Sequence, residues 1–173
     1  LEGSALLEIQ DLRASFETNH GTIQAVDGIS LHIPPGKTVA LVGESGCGKS
    51  VTALSILRLI PQPPGRIEGT ILFRDPNGSD AVDLLQVPQR TLQRIRGGRI
   101  AMIFQEPMSS LNPVFNVGEQ IVEAVELHAG LSGKKAWDRA VDLLRQVGIA
   151  APERRVRDYP HQMSGGMLQR VMN

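Results

Sequence analysis

Apolar residues in the first part of the chain recur at every second position. Leu7 and Ile9, then Ile29, Leu31 and Ile33, then Ile67, Ile71 and Phe73 keep this rhythm, which describes strands with one buried face, as in an antiparallel layer. Asn19-His20-Gly21 supplies the turn between the first two. Two other runs do not alternate. Thr38 to Val42, with Val39-Ala40-Leu41-Val42 continuously apolar, and Ile100 to Phe104 read as strands covered on both faces, the parallel-sheet pattern. Val51 to Ile60 is apolar nearly all round until Pro61, which predicts a buried helix stopped by proline. Asp75 to Asp80 is a surface loop by composition.

Beyond Glu106 the pattern turns helical. Asn116 is placed to cap a helix with Glu119 at the capping-box position, and Val117, Ile121, Ala124 and His128 are expected to line one side. Trp137, Ala140, Val141, Leu144 and Val147 repeat at helical spacing, and Gly148 ends that helix. The prediction is an α/β fold in two parts: residues 5–105, a parallel core with an antiparallel β layer, and 106–173, a helical subdomain. Internal repeats and low-complexity tracts are absent from the sequence.

Composition narrows the function classes. Eighteen basic residues balance eighteen acidic ones, so no global charge favours nucleic acid or an anionic membrane surface. No stretch reaches the ~20 apolar residues that cross a bilayer, and no signal-peptide pattern opens the chain. A cytosolic-type protein is expected, with any membrane role supplied by a partner. Leu1 to Ser4 read as a remnant of processing or cloning. Cys47 is the only cysteine, which excludes an internal disulfide and a thiolate metal cluster. His128 and His161 have no companion at ligand spacing and are read as structural or surface residues.

The strongest chemical signal is Gly43-Glu44-Ser45-Gly46-Cys47-Gly48-Lys49-Ser50, set between an apolar run and a helical one. Glycines let the backbone curl so that successive N–H groups point inward, and the following helix start adds partial positive charge, making a cradle for anionic oxygens. Lys49 is expected to reach the β- and γ-phosphates and the Ser50 hydroxyl to bind Mg²⁺. Cys47 lies inside the loop; alkylation there is expected to block nucleotide binding, and ATP to protect it.

A second motif, Met163-Ser164-Gly165-Gly166-Met167-Leu168-Gln169-Arg170, opens another helix. Alone it reads as a capped helix start. Paired with the phosphate loop, it resembles the nucleotide-binding domain of ATP-binding-cassette (ABC) transporters, whose signature is Leu-Ser-Gly-Gly-Gln or a close variant. Met163 stands for the leucine and Met167 for the glutamine. Gln105 follows the run Ile100 to Phe104 where that family carries its Q-loop glutamine. The run from Gln105 to Pro113, Gln-Glu-Pro-Met-Ser-Ser-Leu-Asn-Pro, and Tyr159-Pro160-His161-Gln162 resemble the branch that imports oligopeptides, dipeptides and nickel.

The resemblance implies a P-loop NTPase core and an ATP-binding, transport-coupled subunit that uses ATP and Mg²⁺ for peptide uptake. It implies that Phe16 stacks on adenine, the alternative being plain core burial since Phe16 continues a strand pattern, and that Val26 packs near ribose and base, again with strand burial as the alternative. Gly43 to Ser50 with Val51 would hold the nucleotide, and Gln105 would complete the Mg²⁺ shell and sense the γ-phosphate. Ser164, Gly165, Gly166 and Met167 would bind the ATP of an opposing domain. The implied partners are membrane permease subunits, touching the stretch Pro107 to Gly118, a second ATPase domain in a homo- or heterodimer, and indirectly a substrate-binding protein. No nucleic-acid partner is implied, and the location is peripheral, on the cytoplasmic face of the cell membrane. A soluble ABC ATPase working on DNA or ribosomes, and a module that binds nucleotide without turnover, are the competing readings.

In the family the Walker B strand, the catalytic glutamate and the switch histidine follow the signature. None follows Gly166 within the seven residues to Asn173, so the chain reads as a piece of a longer protein, inactive or nearly so in turnover by itself. Without a Walker B strand beside Thr38 to Val42, exposed strand edges and apolar faces are expected. The nucleotide loop is expected to keep its geometry better than the short signature helix.

Overall fold

The computed structural model describes residues 5–76, 80–104 and 110–172. The chain separates into two compact units, Leu1–Arg99 and Ile100–Asn173. In the first, strands β1 (Leu7–Thr18), β2 (Gly21–Ile33), β3 (Gly65–Arg74) and β4 (Ala81–Asp83) form one sheet in the order β2-β1-β3-β4. All three pairings are antiparallel. The alternation predicts this layer, and the Asn19-His20 turn joins β1 to β2. Along β1 the buried positions change phase, from Leu7 and Ile9 to Leu12 and Ala14. A bulge absorbs the slip: the register shifts between Ile9 and Leu12, Asp11 adopts φ 45, and its carbonyl crowds Gly69 on β3, where a Cβ would lie 2.6 Å away.

Helix α1 (Lys49–Ile56) follows the phosphate loop, and α2 (Gln89–Ile95) closes the unit. The apolar run predicts a helix lasting to Pro61, but α1 ends earlier, because Arg58 turns to φ 49, outside the helical region. The two runs expected as parallel-core strands differ from that expectation. Neither Thr38 to Val42 nor Ala101 to Phe104 joins a sheet among the described residues, and their apolar side chains face solvent: Val42 is 85% and Ile103 64% exposed. A strand is stable through its neighbours, and among the described residues no neighbour lies alongside either run. The exposed apolar faces expected from the sequence are present.

The second unit is helical: α3 (Val117–Ala129), α4 (Gly133–Gln146), α5 (Pro152–Arg155), a 3₁₀ turn (Pro160–Gln162) and α6 (Gly165–Met172). Asn116 caps α3 in a full capping box, with Glu119 N–H donating to Asn116 Oδ1 at 2.8 Å and Asn116 N–H to Glu119 Oε2 at 3.0 Å. The inward line of α3 runs through Val117, Gly118 and Val125. Ala124 and His128, expected on that line, are exposed, because burial follows the four-residue step from Val117 through the half-buried Ile121 to Val125. On α4 the buried residues are Ala136, Ala140 and Leu144. Gly148 ends the helix at φ 72, a left-handed stop. The core of this unit joins Leu111, Val117, Ala140, Leu144, Ile149, Val156, Met163 and Leu168.

Candidate functional site

The loop from Gly43 to Gly48 wraps the start of α1. Gly46 and Gly48 sit at φ 85 and 92, a left-handed region that costs other residues about 1–2 kcal/mol. Gly48 is constrained twice, because a Cβ there would lie 2.4 Å from Ala25 O and 3.2 Å from Val26 Cγ2 on β2. The antiparallel layer therefore locks the loop at the point where α1 begins. No side chain caps α1, so its first N–H groups remain open to an incoming acceptor. Cys47 N–H turns to Glu44 O at 3.4 Å, while those of Gly46 and Gly48 meet no acceptor among the described residues.

Lys49 Nζ folds back onto the loop, donating to Gly43 O at 2.8 Å and Glu44 O at 2.6 Å, with Cys47 Sγ at 3.5 Å. The ammonium thus stays beside the cradle, on carbonyls it can exchange for stronger anionic acceptors. Ser50 is exposed and Val51 half-buried; Thr52 Oγ1 closes the first turn by donating to Gly48 O at 3.0 Å. Glu44 and Ser45 are exposed, as is Cys47. Of the base-contact candidates, Val26 is 5% exposed and abuts Gly48. Phe16 is half-buried on β1, paired with Ile23 and Gly65, and its Cε1 lies 3.4 Å from where a Gly65 Cβ would be. Ala25, whose carbonyl braces the loop, carries no sequence signal of that role. Gln105 lies outside the described residues, as does the run to Ser109.

In the second unit Ser164 opens α6. Its carbonyl accepts from Met167 and Leu168 N–H at 2.9 Å each, and its Oγ accepts from Met167 N–H at 3.3 Å. Ser164, Gly165 and Gly166 are exposed and Met167 is half-buried. A Cβ on either glycine would meet nothing within 4 Å. Arg170 ties the helix down, donating from Nη1 to Gly148 O at 2.6 Å and from Nε to Gly166 O at 3.2 Å.

No group of three or more His, Cys, Asp or Glu side chains among the described residues could hold a metal. A divalent cation at the loop would therefore depend on phosphate oxygens, with the Ser50 hydroxyl as the protein donor. The positive-φ glycines, open helix amides and adjacent ammonium fit a polyphosphate.

A phosphate loop locked on an antiparallel layer, together with a helical unit carrying a second glycine-opened helix, is the architecture of a P-loop ATPase cassette. The family model described as "ABC transporter" matches residues 26–172, and the chain belongs to that family. It is 48% identical over 168 residues to the "Probable peptide ABC transporter ATP-binding protein y4tR" of Sinorhizobium fredii, covering 96% of this chain and 48% of that protein. It is 49% identical to the oligopeptide transport ATP-binding protein OppD of Bacillus subtilis, covering 96% and 45%. Among solved structures, the ATP-binding cassette MJ0796, a dimer in a post-hydrolysis state bound to ADP and Pi, superposes with a TM-score of 0.77 at 25% identity, covering 96% of this chain and 66% of that one. The chain spans about half the length of the curated relatives it matches.

Proposed function

We propose that this chain is the nucleotide-binding part of an ATP-binding subunit that powers peptide import. The observation that carries the reading is the loop itself: Gly48 pinned against Ala25 O, with Lys49 Nζ resting on the Gly43 and Glu44 carbonyls. Binding would move the ammonium from those carbonyls to the β- and γ-phosphates while the amides of Gly46, Gly48 and the start of α1 take the remaining oxygens. Mg²⁺, when bound, would neutralise phosphate charge, with Ser50 and Gln105 as its protein ligands. The peptide class rests on relatives named for peptide and oligopeptide transport.

Ser164, Gly165, Gly166 and Met167 would face the nucleotide held by a second ATPase domain, so that ATP joins two domains and permease subunits feel the closure. The subunit would lie peripherally on the cytoplasmic face of the membrane; no helix among the described residues is long and apolar enough to cross one. The test is titration with a fluorescent ATP analogue. Wild type should bind and Lys49→Ala should lose at least about tenfold in affinity, the usual cost of removing a charged hydrogen-bond donor; equal affinities would defeat the reading.

A further inference from the structure

Arg96 lies one residue beyond α2 and reaches back 39 positions to the far end of α1. Its Nε and Nη2 donate to Leu57 O at 2.8 and 2.5 Å, and Nη2 also donates to Arg58 O at 2.9 Å. Carbonyls at a helix C-terminus have no intrahelical donor, and α1 carries no basic residue in its own last turn. A helix of eight residues is too short to hold itself together. The guanidinium supplies what is missing: a planar fork of charge-assisted bonds and a cation where the helix dipole is negative.

The chain around it fits this role. Arg58 leaves the helix at φ 49 and anchors the exit by donating from Nη1 to Val87 O at 2.8 Å. Arg96 is half-buried; burial, and then the charge of Arg58, lower its pKa, though a guanidinium stays protonated throughout the physiological range. Placing a second cation here is unfavourable unless the carbonyls need it.

We propose that Arg96 is a positioning residue of the phosphate loop: by clamping the C-terminal end of α1 it fixes where the Gly48, Lys49 and Ser50 amides point at the other end. The inference rests on the reading that this loop binds a triphosphate. α1 behaves as a short rod held at both ends, by Gly48 against Ala25 and by the Arg96 fork at Leu57. Releasing the second end lets the first one wander, and misplaced amides bind phosphate less well.

The experiment measures binding of a fluorescent ATP analogue to the chain, alongside thermal melting. The proteins are wild type, Lys49→Ala, Arg96→Ala, Arg96→Lys and Ile71→Ala. Ile71 is fully buried in β3, so its truncation lowers stability without touching the fork. Arg96→Ala should weaken binding about tenfold. Arg96→Lys, which restores the charge but not the fork, should recover part of it, to about threefold weaker than wild type. Ile71→Ala should melt at least as early as Arg96→Ala yet bind within about twofold of wild type. Wild-type affinity in Arg96→Ala, or a loss in Ile71→Ala equal to that of Arg96→Ala, overturns the inference. If Arg96→Ala does not fold, Arg96→Lys decides, and wild-type affinity there overturns it. Absence of binding in wild type, or an unaffected Lys49→Ala, overturns the loop reading itself and this inference with it.

Discussion

Helices α1 and α6 are each eight residues long and each open on glycines. In the first, the glycines answer to the fold. Gly46 and Gly48 occupy the left-handed region, and the carbonyl of Ala25 fills the space a Gly48 side chain would need. In the second, neither condition holds: Gly165 and Gly166 have room for a methyl group, and neither needs a positive φ. A glycine inside a helix costs about 1 kcal/mol relative to alanine, so this second pair weakens its own unit without any gain within it. The difference separates a glycine demanded from inside from one demanded from outside. The outside demand that fits is close backbone approach to a ligand presented by another domain, the role proposed for the signature.

Gly48→Ala should give the largest effect. Left-handed strain of about 1–2 kcal/mol adds to overpacking against a backbone carbonyl that cannot move aside, about 1–3 kcal/mol. Urea unfolding of the first unit should show a loss of about 3 kcal/mol, with ATP-analogue binding abolished; an unchanged midpoint would mean that β2 does not lock the loop. Gly166→Ala should act in the opposite direction, raising stability by up to about 1 kcal/mol and leaving this chain's own nucleotide affinity intact. Its cost should appear in the full-length protein, as loss of ATP-dependent pairing of the two domains in analytical ultracentrifugation. If Gly166→Ala destabilises the chain, the contrast between the two helix starts fails.

What could be read from the sequence was what depends on near neighbours. The Asn116–Glu119 capping box spans three residues, and the β1–β2 turn spans the same short distance, so composition sufficed for both. Contacts made at a distance left no trace. The brace from Ala25 O to Gly48 and the fork from Arg96 to Leu57 join residues more than twenty positions apart, and neither partner is unusual in its local pattern. The α3 face was misread at Ala124 and His128 because three- and four-residue steps overlap on so short a helix. Val39 to Val42 show a different limit, since an apolar run states a preference for burial while only a neighbouring strand provides it. Val42→Lys should therefore shift the stability of this chain by less than about 0.5 kcal/mol, as at other exposed positions. In the full-length protein, where the resemblance implies a Walker B strand alongside, the same change should cost several times more, and equal costs in both would remove that strand from the argument.

The smallest expected effect comes from an exposed charge pair between α4 and α5. Arg145 on α4 donates from Nη2 to Glu153 Oε1 in the first turn of α5 at 2.6 Å, and from Nη1 to Asp142. The N–H at the α5 start and then the Arg145 fork hold the Glu153 pKa below its ordinary 4.5. A carboxylate whose folded pKa is depressed adds stability that is present above its unfolded pKa and is lost as pH falls through the folded one. Both side chains are more than half exposed, so the contribution is small and screened by salt. At low ionic strength, wild type should therefore unfold slightly later than Glu153→Gln at pH 6, and the two curves should merge as pH falls below the folded pKa of Glu153. Neither side chain of the pair bonds to α6, so Glu153→Gln should combine additively with Gly166→Ala. A non-additive result would show that α6 depends on the α4–α5 contact, and the gain at Gly166 could not then be assigned to the helix start alone.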